Sequence, residues 1–143
     1  MARPKTQANE DSWIVHLSTF PPRVCGIATF TKDLTEAMAT LFEHSVRPKI
    51  IAMRTGEKPI TATSREVIRE IHQDRMDDYR EAALALNRIA EVKLVSIEHE
   101  FGIFGGADGE HLLTFMENFQ KPVIVTFHTV LPSPSNHQRT LVQ

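Results

Sequence analysis

The chain has 143 residues, enough for one domain with a buried core and too few for two. Its 16 Lys and Arg against 18 Asp and Glu leave a net charge of -2 without any basic block, which argues against nucleic acid or an anionic membrane surface as a partner. The single cysteine, Cys25, allows neither an internal disulfide nor a cysteine-based zinc cluster, as expected of a cytoplasmic protein. No apolar run approaches the ~18 residues of a membrane span, and the polar start lacks a signal peptide's apolar core.

Residues 1–12 (MARPKTQANEDS) read as a flexible tail, leaving 13–143 as the folded domain. Trp13 to Ser18 (WIVHLS) reads as a first strand, stopped by Pro21 and Pro22. Beyond Gly26, the positions Ile27, Phe30, Leu34, Ala37, Met38 and Leu41 follow the spacing of one helix face, with Asp33 near the positive end of the macrodipole. Pro48 to Met53 (PKIIAM) is a second strand, closed by turn residues from Thr55 to Pro59. Glu66 to Ile71 (EVIREI) alternates apolar with charged, as a more exposed strand near a sheet edge does.

Asp74 is placed to cap a second helix running to about Glu91, whose buried face is Tyr79, Ala82, Ala83, Leu86 and Ile89, with Asp77 and Asp78 in its opening turn. Leu94 to Ile97 is a fourth strand that feeds the stretch IEHEFGIFGG, Ile97 to Gly106. Leu112, Phe115, Met116 and Phe119 mark a third helix that Asp108 could cap, and Pro122 to Phe127 (PVIVTF) is a last, wholly apolar strand. Apolar strands separated by amphipathic helices predict an α/β, Rossmann-like fold: a mainly parallel sheet with helices on both faces. In such a sheet ligands sit beyond the C-terminal strand ends, so residues 21–26, 99–109 and 128–133 should share one rim.

The residue types on that rim exclude several chemistries. Alternation along a strand sends Glu98 and Glu100 to one side and His99 to the other, which opposes a three-ligand metal site. Gly102, Gly105, Gly106 and Gly109 match neither the dinucleotide nor the Walker spacing, so they stand either as a flexible turn or as a place of close backbone approach. The missing G-x-G-x-x-G also argues against a nucleotide-dependent oxidoreductase. Gly26 at a helix start, with Arg23 nearby, would suit a phosphate, although a loop arginine is equally at home in solvent and Cys25 can serve as a small filler. His128 follows the last strand, where it can meet a hydroxyl or hold a structural hydrogen bond. No G-x-S-x-G elbow is present.

Three runs, STFPPRVCGIATFTKDL, IEHEFGIFGG and VTFHTVLPSP, together with YREAALALN, closely resemble the N-terminal domain of glycosyltransferase family 4 enzymes of the GT-B fold, from about Trp13 to the end of the chain. The resemblance implies a retaining, metal-independent transfer of a sugar from a nucleotide-sugar donor to an acceptor, whether glycan, lipid or small molecule. It implies no cofactor beyond that donor substrate. Carried onto this sequence, Gly26 and Ile27 correspond to the loop near the donor phosphates, Arg23 to a weaker anion contact, and His128 to the histidine beside the transferred sugar. His99, Glu100, Gly102, Gly105 and Gly106 correspond to the acceptor side of the interdomain cleft. Relatives often carry glutamine where this chain has Glu98. The resemblance leaves the donor-gripping C-terminal domain unaccounted for, so two expectations stand: half of a transferase, inactive alone, or a standalone glycan-binding or interaction module. The face turned towards an absent domain could also drive self-association.

Overall fold

The computed structural model describes residues 11–43, 45–56 and 64–143. Most of the expected tail and residues 57–59 of the expected turn lie outside them. Five strands, β1 (Ser12–Ser18), β2 (Val46–Arg54), β3 (Val67–His72), β4 (Val92–His99) and β5 (Val123–Phe127), form one parallel sheet in the order β3-β2-β1-β4-β5. Helices α1 (Gly26–Leu41), α2 (Met76–Asn87), α3 (His111–Asn118) and α4 (Asn136–Leu141) complete the layers. The fold is therefore α/β and Rossmann-like, as the strand and helix pattern predicts. At its beginning, Asp11 pairs with Arg47 at 3.0 Å and Ser12 already belongs to β1, so order starts earlier than the composition of the tail suggests.

The two faces of the sheet differ in chemistry. On one, Val15, Leu17, Ile51, Met53, Val95 and Ile97 meet Tyr79, Ala82, Ala83 and Leu86 of α2 and Leu112 and Phe115 of α3 in the main apolar core. Burying such side chains supplies about 1.5–3 kcal/mol each. On the other face, against α1, the same strands turn His16, Ser18, Ser96 and Glu98 inward, all buried. That polar face changes how α1 sits. Its buried residues are Ala28, Thr31 and Thr35, while Phe30 and Leu41 of the expected apolar stripe are exposed. Thr31 donates to the Ile27 carbonyl at 2.9 Å, which leaves its oxygen to accept from Ser18 at 2.7 Å. A helix with an apolar underside would strand those hydroxyls.

Local caps also depart from expectation. Cys25 is the N-cap of α1, its Sγ accepting from the Ala28 amide at 3.4 Å, and is only half-buried rather than a core filler. Asp33 lies well past the first turn, beyond most of the macrodipole's reach. Asp74 does not cap α2: Arg75 holds that position without a side-chain bond, Asp77 and Asp78 occupy the first turn as read, and the helix stops at Asn87. Glu110 rather than Asp108 precedes α3, because Asp108 has a positive φ of 54° and is spent on α4. β5 is an edge strand, so its apolar Ile124 and Phe127 are exposed instead of covered. α4, which no apolar period announces, is started by a capping box between Ser135 and Gln138.

Candidate functional site

Strand order reverses between β1 and β4, so the crevice beyond their C-terminal ends is where this class of sheet offers a ligand site. Two of the three expected segments, 99–109 and 128–133, meet there directly, and the first, 21–26, is linked to them through a neighbouring residue. The His128 amide donates to the His99 carbonyl at 3.0 Å, Thr129 donates to Glu100 Oε2 at 2.6 Å, and the Phe30 ring of α1 meets the His128 ring edge-on at 4.7 Å. A fourth segment joins them: Gln73, just after β3, accepts from Arg23 at 3.4 Å and reaches the Gly102 carbonyl at 3.5 Å.

At the α1 end of the crevice, Thr19 Oγ1 lies 3.3 Å from Cys25 Sγ. Partial burial is the largest single influence on that thiol and opposes ionisation. The Thr19 hydroxyl, the Ala28 and Ile27 amides and the Arg23 charge together outweigh it and lower its pKa. The environment thus favours negative charge. Gly26 is exposed, and a Cβ built on it would meet nothing within 4 Å, so the backbone there is open to an approaching group. Ile27 is half-buried and anchors this turn against the main core.

The EHE stretch divides as strand alternation requires. His99 turns to the α3 side among Phe101, Phe104 and Phe127, with ring centroids 5.0, 5.9 and 5.1 Å away. Desolvation lowers its pKa, and its Nδ1 has no hydrogen-bond partner. Glu100 is committed locally, accepting from Thr129 and from the Phe101 amide at 3.1 Å. Glu98 points to the α1 side and is only 1% exposed. Among the described residues, no group of three or more His, Cys, Asp or Glu side chains is arranged to hold a metal ion.

The glycines of the loop serve different ends. Gly102 is exposed with open space around it. Gly105 is buried so tightly that a Cβ would stand 2.0 Å from the Gln73 carbonyl oxygen. Gly106, at φ 78°, would press on Glu110 and His111. The Tyr79 hydroxyl pins this turn, accepting from the Gly105 amide at 2.9 Å and donating to the Gln73 carbonyl at 2.7 Å.

Glu98 is the central group that a motif reading passes over. Its Oε2 accepts from His128 Nε2 at 2.9 Å and its Oε1 from Ser96 at 3.1 Å, while His16 Nδ1 stands 3.5 Å from Oε1, within ion-pair range but without a hydrogen bond. Burial, the largest influence, would raise the carboxyl's pKa. The close approach of His16 and the hydrogen bonds from His128 and Ser96 overcome it, and the pKa is lowered. The signal for this cluster is present in the strands themselves: HLS and SIEH place polar residues at alternate positions of two neighbouring, otherwise apolar strands.

Together these features define an α/β layer with an anion-favouring helix start and a carboxylate-backed histidine on one rim. No protein-family model, curated protein or solved structure matches the chain. A hollow of about 790 Å³ between α1 and the β2–β3 side shares none of these site residues.

Proposed function

We propose that residues 13–143 form the acceptor-side half of a retaining, nucleotide-sugar-dependent glycosyltransferase of family 4 and the GT-B fold, completed by a second α/β domain that grips the donor. The observation that carries this reading is the convergence, at the β1/β4 reversal, of the open Gly26 backbone with a His128 whose ring is held by Glu98. In the reaction, the acceptor oxygen bonds to the anomeric carbon on the face from which the diphosphate departs. The bond from that carbon to the phosphate oxygen breaks, and the acceptor proton passes to the leaving phosphate. Charge grows on the diphosphate, where the backbone at Gly26 and Ile27 and the Arg23 guanidinium can meet it. His128 positions a sugar hydroxyl.

Inorganic diphosphate, the anion common to such donors, is the probe for this chain. NMR titration should move the amides of Gly26, Ile27 and Ala28, and Gly26→Val should abolish the change. A Cβ at this position meets nothing within 4 Å, so the added side chain starts in open space beside the amides that would meet the ligand. With the donor domain joined, His128→Ala and Gly26→Val should each slow sugar transfer by about 10²-fold. Near-normal rates in both variants would overturn the assignment, and glycan binding without transfer would favour the non-catalytic module instead.

A further inference from the structure

We propose that Glu98 is a positioning residue that fixes His128 as its Nε2–H tautomer, so that Nδ1 is the atom offered to the crevice as an acceptor for a ligand hydroxyl. The choice of a sugar hydroxyl as the ligand rests on the function proposed above; the tautomer does not.

The geometry constrains the ring from several directions. Its backbone amide is tied to His99, its ring lies nearly perpendicular to that of Phe30 at 4.7 Å, and its Nε2 lies 2.9 Å from Glu98 Oε2. An ionised carboxylate only accepts, so the proton of that bond resides on Nε2. The other carboxylate oxygen is occupied by Ser96 and approached by His16, which keeps Oε2 directed at His128. Nδ1 makes no hydrogen bond to any described residue and is not among the sealed, unpartnered atoms of the interior. In a neutral imidazole it therefore carries an available lone pair.

The titratable groups that face this ring are Glu98 on the sheet face and His99 at the end of β4; His16 stands behind them against Glu98, and Glu100 is bonded to the neighbouring Thr129. Among the described residues, only Glu98 contacts the ring nitrogens within hydrogen-bond distance. A glutamine at this position would remove the constraint, because its amide can donate to Nε2 as readily as its carbonyl can accept from it. Shape would be kept and the proton's location would not.

The test is long-range proton–nitrogen NMR on the uniformly ¹⁵N-labelled chain, at a pH where the His128 imidazole is neutral. The wild type should show a protonated Nε2 and a pyridine-like Nδ1. Glu98→Gln should shift both nitrogens towards averaged or inverted values. A wild-type ring protonated on Nδ1 would overturn the proposal without any variant having to fold. So would an unchanged tautomer in Glu98→Gln. A diphosphate titration that moves nothing while the Nε2–H tautomer persists would count against the transferase reading and leave the positioning role intact.

Discussion

Tyr79, the chain's single tyrosine, shows how one hydroxyl can order a loop. It is wholly buried and bonds to backbone atoms on both sides of the gap between Gln73 and Gly105. Tyr79→Phe keeps the ring's packing but leaves a buried amide and carbonyl unpaired, which should lower stability by about 1–3 kcal/mol in urea unfolding. Gly105→Ala should be worse, because its Cβ collides with backbone rather than with a side chain that could swing aside. Burial pushes the Tyr79 phenol up to about 12. The proton is thus held more tightly in the folded state than in the unfolded one, where the pKa is about 10. This contribution is complete below about pH 10 and is lost as the pH rises towards the folded value. Phenolate absorbance should therefore appear near pH 12 or together with unfolding, and not near pH 10.

At the scale of elements, α4 depends on charge rather than on an apolar face. None of its residues is buried. It is held through His137, 2.9 Å from Asp108 Oδ2 and 3.3 Å from Glu110 Oε2, and through Gln138, which donates to Asp108 Oδ1 at 3.0 Å. The bond to Asp108 is the main cause that raises the His137 pKa, and the same bond is the main cause that lowers the Asp108 pKa. The histidine's contribution is full below its unfolded value, about 6.5, and vanishes as the pH climbs through the raised folded value. The aspartate's contribution is full above about 3.9 and vanishes as the pH falls through the lowered one. Normalised amide-exchange protection of Thr140 and Leu141 should thus be greatest between those limits and decline on either side, and His137→Asn should remove the alkaline decline. The same element shows why sequence reading stopped short. Helices α2 and α3 bury periodic side chains and so declare themselves, whereas α4 is specified by a cap and two polar contacts to a residue about thirty positions earlier. Asp108 looks like a helix cap from its neighbours alone; its role is decided by His137, which no local pattern connects to it.

Across the whole molecule, the strand pattern predicts a layered α/β sheet because apolar alternation reports burial directly, and the rim follows from strand direction. The buried polar cluster was legible only in part: His16, Ser18, Ser96 and Glu98 share strand parity, but their union across β1 and β4 depends on a register that pairs His16 with Ser96. The sheet's two edges are likewise unequal. β3 carries Arg69 and Glu70, and Glu70 pairs with Arg54 at 3.1 Å, so charge blunts that edge. β5 has no charged residue; Ile124 is 53% exposed on one face of the strand, while on the other the exposed Phe127 lines, with Leu113 and Met116, a hollow of about 240 Å³. An unprotected apolar edge of this kind invites strand pairing with a second copy. Light scattering should therefore show a molar mass that rises with protein concentration. Ile124→Lys, an exposed change expected to alter stability by only about 0.5 kcal/mol, should suppress the rise while thermal unfolding by circular dichroism stays nearly constant. If the mass rises equally in wild type and variant, association runs through another surface. If it rises in neither, the edge is protected by its own short length, since five residues offer few backbone bonds to offset the entropy of pairing.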